Sequence, residues 1–130
     1  WGILRAAGFN RRDSLSILAV PLAAAIATVA LLRALAIPIS LFAAFGLLLI
    51  SAIGVDYAVY AKSGGAPAAI RYRGMLLAAL TTITSFGILA LSATPAVAAF
   101  GATVAIGIAL SLTFATWLFP PTTKEPHGNP

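Results

Sequence analysis

The sequence predicts an all-α, polytopic membrane helix bundle with four transmembrane helices. Three observations carry that expectation. Of the 130 residues, 61% are hydrophobic and only 8% are charged. Mean hydropathy is +1.03. The few charges cut the chain into long uncharged runs. A soluble domain carries roughly a quarter charged residues. At this chain length its surface-to-volume ratio is too high to hide so much apolar surface from water. Lipid is therefore the expected solvent. Hydrocarbon satisfies no backbone groups, so runs this long are expected as helices. They lack the polar–apolar alternation of membrane strands.

The elements follow from the charge boundaries. Ser14 to Leu32 is uncharged, bounded by Arg12-Asp13 and Arg33. Ala34 to Val55 is the second such run, and Gly74 to Thr123 the third. A crossing needs about 20 apolar residues. The third run therefore holds two crossings, with Thr94-Pro95 as the turn, because proline suits a first helical position and breaks a continuing helix. Pro38 plays the same part before the second helix. The expected helices are residues 14–35, 39–61, 75–93 and 96–119. Residues 1–13 are expected as a cytoplasmic or interfacial segment. The polar, proline-rich 121–130 is expected as a disordered tail. The chain begins at Trp1 and shows no signal-peptide pattern. It is expected to be the C-terminal piece of a longer protein.

Basic residues give an orientation. Arg5, Arg11, Arg12, Lys62, Arg71, Arg73 and Lys124 fall on one side of the four crossings, and only Arg33 falls on the other. The positive-inside rule then places both ends of the chain in the cytoplasm. The net charge of +5 thus reflects topology, and no nucleic-acid partner is expected. There is no cysteine, which removes disulfides and thiolate metal sites. No phosphate loop, nucleophile elbow or HExxH pattern appears. No enzyme activity, cofactor or metal is expected.

Asp56 is the exception within this apolar chain. With the second helix running to Ala61, it lies about 9 Å along the axis from Lys62. A carboxylate at mid-membrane costs roughly 2.5–3.5 kcal/mol on insertion scales. Hydrocarbon disfavours the charged form of a carboxyl, and carboxyls so placed load and release protons in pumps and transporters. The competing reading ends the helix near Val55 and leaves Asp56 among headgroups. Against it, Tyr57 to Ala61 continue the apolar run without a helix stop. Tyr57 and Tyr60 suit interfacial anchors as well as site residues. Thr81, Thr82, Thr84 and Ser85 form a hydroxyl cluster on the third helix, and Thr81 and Ser85 share a face. They either line a hydrated path or bond back to their own helix. Small residues mark close helix packing at Gly46, Gly54, Gly87, Gly101 and Gly107. Gly54-x-x-x-Ala58 and Gly107-x-x-x-Ser111 have the spacing of close contacts.

GVDYAVYAKS (residues 54–63) resembles the G-x-D-Y signature on the tenth transmembrane helix of RND-superfamily transporters of the MMPL branch. TTITSFGILALSATPAVAAFGATVAIGIALS (residues 81–111) is similar to their last two helices. The likeness covers about Leu15 to Pro120 and is nearest to exporters found beside lipid and aryl-polyene biosynthesis genes. It implies a twelve-helix parent in the bacterial inner membrane, of which this chain is the last four helices. It implies export of hydrophobic or lipid-like molecules driven by the proton-motive force. Asp56 would then carry the proton and Tyr57 would be its cross-helix hydrogen-bond partner. The implied partners are membrane lipids, the substrate, and the N-terminal remainder of the transporter with a matching Asp/Tyr helix. Thr81, Thr82 and Ser85 would line the proton path. Two other readings fit the same architecture: a lipid- or sterol-sensing membrane domain without transport, and a structural four-helix subunit.

Overall fold

The computed structural model describes residues 11–37, 39–62, 66–118 and 120, with the side chains of Arg11 and Asp13 outside the description. Among these residues there are four α-helices: α1 (Arg11–Ala34), α2 (Leu41–Lys62), α3 (Ala68–Ala90) and α4 (Pro95–Leu118). Each is long and apolar enough to cross a membrane. At 1.5 Å per residue they span about 33–36 Å, against a hydrocarbon core of about 30 Å.

α4 is the centre of the bundle. It packs on all three other helices, while α2 and α3 meet only briefly and α1 and α3 do not meet. The residues it buries explain why: beside Val104 and Ile108, the others, Ala99, Gly101, Thr103, Gly107, Ser111 and Ala115, are small. Small side chains let neighbouring backbones approach, which is how helices associate when lipid removes the hydrophobic drive between them. Many large side chains face outward instead. Leu22, Leu48 and Leu77 are each about two-thirds exposed. A soluble monomer rarely shows so large an apolar surface, and here acyl chains can cover it.

The α2–α4 contact is a parallel stripe at four-residue steps. A Cβ built on Gly46 would lie 3.0 Å from Thr103 Cγ2. One turn on, Ile50 fills the space that a side chain on Gly107 would need. One turn further, a Cβ on Gly54 would lie 3.3 Å from Ser111 Oγ. The same step leads to Ala58 and Ala115, both fully buried. The two spaced pairs noted in the sequence therefore lie on one seam and meet at Gly54 and Ser111. α3 is held to α4 near its end. A Cβ on Gly101 would lie 2.6 Å from the Ala90 nitrogen and the Phe86 oxygen, and Phe86 meets Phe100 edge to face at 5.7 Å. Gly87 is a correction to the list of packing glycines. A Cβ there would meet nothing within 4 Å, because α3 packs mainly on one helix and Gly87 lies off that contact.

α1 carries Pro21 inside the helix. Proline has no N–H, so the Ile17 carbonyl loses its intrahelical donor. Pro21 rests on Gly54, whose missing Cβ would lie 3.0 Å from Pro21 Cβ and 3.2 Å from Pro21 Cα. α1 ends on Ala36 at φ 55°. The Ile37 N–H donates to the Leu32 carbonyl at 2.9 Å and the Ala36 N–H to Arg33 at 3.1 Å. This is the left-handed helix stop that glycine usually fills.

The helix starts differ from the expected ones in an instructive way. α3 begins at Ala68, seven residues before Met75. Pro67 caps it at ψ 139°, and its carbonyl accepts from the Ile70 and Arg71 N–H groups at 3.0 and 3.1 Å. Alanine favours helix, and nothing between Ala68 and Met75 breaks one. Charges mark the edge of the apolar run, not the edge of the helix, so Arg71 and Arg73 lie on α3 itself. α1 likewise extends back to include Arg11, three residues before Ser14. α4 starts on Pro95, with the Ala98 N–H bonded to the Thr94 carbonyl at 2.9 Å. The expectations for residues 1–10, Pro38 and the tail 121–130 lie outside the described residues.

Candidate functional site

α2 runs unbroken through Asp56 and Tyr57 to Lys62. Asp56 is therefore within a helix, and a helix end near Val55 is excluded. Successive residues project about 100° apart, and the two side chains separate accordingly. Asp56 is exposed on the bundle, whereas Tyr57 is 8% exposed and packs in the core cluster with Ala58, Met75 and Ala79.

Between them opens a groove of about 330 Å³, lined by Asp56, Tyr57, Tyr60, Gly74, Met75 and Ala78. Its origin is the brief meeting of α2 and α3. Both lean on α4, and Gly74 and Ala78 are too small to close the gap. No cation lines it. A carboxyl and two tyrosines thus share a largely apolar furrow on the outside of the bundle.

The hydroxyl cluster continues the α3 wall of this groove without lining it. Thr81, Thr82 and Ser85 lie three, four and seven residues beyond Ala78, on the same side of the helix. Each donates its proton to its own helix: Thr81 to Leu77 O at 2.9 Å, Thr82 to Ala78 O at 2.8 Å, and Ser85 to Thr81 O at 2.9 Å. Thr84 does the same to Leu80 O at 2.8 Å. Their oxygens still accept. Thr81, Thr84 and Ser85 are exposed and Thr82 is half-buried.

Gly54, two residues before Asp56, sits where α1, α2 and α4 converge on Pro21 and Ser111. Ser111 Oγ is buried there without a hydrogen-bond partner among the described residues, as is Ser14 Oγ on α1. The buried threonines behave differently. Thr28 and Thr103 donate to the Ala24 and Ala99 carbonyls at 2.6 Å.

A second cavity, of about 380 Å³, lies between the end of α2, the start of α3 and the end of α4. Lys62 and Arg71 are in its wall. The sequence placed these residues on one side of the membrane and carried no sign that three helix ends would surround a cavity between them. It also missed Gly74, Met75 and Ala78 as groove walls. Only the α3 register signals that role, and that register was set by Pro67. Among the described residues no three His, Cys, Asp or Glu side chains gather as a metal site would require.

No protein-family model, curated protein or solved structure gives a match to this chain. What the molecule is rests on its own geometry: among the described residues, a bundle of four helices apolar and long enough to cross a membrane, with a carboxyl-bearing groove.

Proposed function

We propose that this chain is the C-terminal membrane part of an RND-type exporter of the MMPL branch. In this reading it uses the proton-motive force to move hydrophobic or lipid-like molecules out of a bacterial inner membrane. Both ends of the fragment lie in the cytoplasm, as the bias of Arg12, Lys62, Arg71 and Arg73 toward one end suggests. Asp56 takes up and releases the proton. Tyr57 supplies a hydrogen bond within the site, and Thr81, Thr82 and Ser85 line the approach along α3.

The observation that carries the reading is Asp56 itself. It is a carboxylate inside a membrane-length helix, exposed on a groove that the four helices leave open. Intramembrane carboxyls are expensive and mark proton or substrate pathways. An open groove beside one is the place where a helix from the rest of a larger transporter would bring its counterpart. The G-x-D-Y likeness of Gly54 to Tyr57 names the class.

Asp56→Asn in the intact transporter tests this. It keeps the shape and removes the titrating group. Efflux of a hydrophobic fluorescent dye from cells should fall to the level seen with a protonophore, with expression and insertion unchanged. Normal efflux would sink the coupling role. A lipid-sensing domain would keep its ligand response in this variant, and a structural subunit would show no change.

A further inference from the structure

Among the described residues, Met75 alone lines both spaces: the groove that holds Asp56, and the cavity of about 380 Å³ where the ends of α2, α3 and α4 meet. The two spaces also adjoin on α2. Tyr60 lines the groove, and the next residue, Ala61, lines the cavity. Met75 is 4% exposed and belongs to the core cluster that holds Tyr57 of the groove and Ala115 of the cavity. Around it the walls are small, with Ala61, Gly74, Ala78 and Ala115. The partition between the spaces is therefore largely one side chain. Methionine is unbranched, with three rotatable bonds, so its thioether can swing while both helices stay in place.

The cavity stands at the ends of membrane-length helices, where α2 closes on Lys62 and α3 opens on Ala68. Lys62, Arg71, Tyr72 and Thr116 give it polar walls. Asp56 lies only about 9 Å further along α2. One water takes about 30 Å³, so either space has room for several. We propose that Met75 is the gate through which water in this cavity reaches Asp56. The inference rests on the reading of Asp56 as a proton carrier. With the methionine swung aside, a chain of water joins the cavity to the carboxyl. The O–H bond of Asp56 breaks, the proton passes to water as hydronium, and the carboxylate remains. Uptake from the same side is the reverse. With Met75 across the gap, the carboxyl is closed to that side. A coupled carrier needs such a closure, because a carboxyl open to both sides at once only leaks protons. The titratable and charged groups along this path are Lys62, Arg71 and Tyr72 at the cavity and Tyr57 and Tyr60 at the groove.

The chain has no cysteine, so Ala78→Cys places a single thiol in the groove, across Met75 from the cavity. Labelling of the full chain in membrane vesicles by a small, charged methanethiosulfonate reads water at that thiol. The thiolate is the reactive form, and the charged reagent does not cross hydrocarbon. Vesicles of both orientations give the side of entry. Labelling is expected from the face that bears Lys62 and Arg71. A minor conformer is populated at about 0.1–10%. Met75→Ala leaves the gate open and should therefore raise the rate at least about tenfold. Met75→Leu keeps the core filled with a stiffer side chain. It should slow labelling, and it serves as the test if Met75→Ala does not fold. Leu80→Ala, on the exposed side of α3, should leave the rate unchanged. Equal rates in the Met75 variants, or labelling from the opposite face alone, would overturn the gate. Labelling reads the water path whether or not Asp56 titrates. Gated labelling with normal efflux in Asp56→Asn would thus overturn the carrier reading and leave the path standing. Ungated labelling with efflux lost in Asp56→Asn would overturn the gate alone.

Discussion

Gly107→Ala should destabilise the bundle, and the reason can be worked from one contact. Ile50 is fully buried against Gly107. Its Cδ1 occupies the position that a Cβ on residue 107 would take, and its Cγ2 would stand 2.9 Å away. Carbon pairs are at their optimum near 3.5–4.0 Å. Rotating χ2 of Ile50 moves Cδ1 aside but not Cγ1, which would stand 2.5 Å away and is held by the one χ1 rotamer that a β-branched side chain keeps in a helix. α2 and α4 must therefore separate by about 0.5–1 Å, which forfeits a quarter to a half of the attraction at each neighbouring contact. Overpacking of this kind costs about 1–3 kcal/mol. Alanine returns at most about 1 kcal/mol of helix propensity over glycine. With the full propensity gain returned, the net expectation is a loss of up to about 2 kcal/mol. Ile50→Ala alone should also destabilise, by less than the 2–5 kcal/mol typical of soluble cores, because lipid is as apolar as the site it replaces. Combined, the two changes transfer volume from one helix to its partner. The double variant should then be more stable than the sum predicts, with a coupling of at least about 1 kcal/mol. SDS titration in mixed micelles, followed by circular dichroism, measures all four corners of the cycle. Additivity within about 0.5 kcal/mol, or a stabilising Gly107→Ala, would refute the stated packing of Ile50 on Gly107.

Two further glycines should part company under the same substitution. Gly101→Ala drives its methyl against the α3 backbone at Ala90 and Phe86, 2.6 Å away, and should lower the thermal midpoint more than Gly107→Ala does, since backbone cannot rotate aside. Gly87→Ala meets open space and should raise stability by up to about 1 kcal/mol through helix propensity, read by the same titration. Ala36→Gly relieves a non-glycine residue at φ 55°. It should stabilise the α1 stop by about 1 kcal/mol, whereas Ala36→Val should destabilise it, because a β-branched side chain tolerates that conformation least.

The sequence by itself determined the number and character of the helices. Runs without charge, of the length a bilayer demands, can be nothing but helix, because hydrocarbon leaves backbone groups no other partners. It also displayed the seam between α2 and α4, since Gly54-x-x-x-Ala58 and Gly107-x-x-x-Ser111 announce close approach wherever they pair. Asp56 stood out for the same reason, as a costly residue in a cheap context. Where α3 starts was not legible from charge. Arg71 and Arg73 suggested a loop, but a helix satisfies its own backbone on either side of the lipid boundary and continued back to Pro67. Which face of each helix is buried was equally hidden, because uniformly apolar segments carry no polar stripe to read. Tertiary structure decided that. It chose α4, the helix of smallest buried residues, as the hub. By leaning α2 and α3 on that hub it left them barely touching each other. Two spaces resulted that no local pattern encodes: the groove that exposes Asp56 beside Gly74 and Ala78, and the basic cavity where three helix ends meet around Lys62 and Arg71.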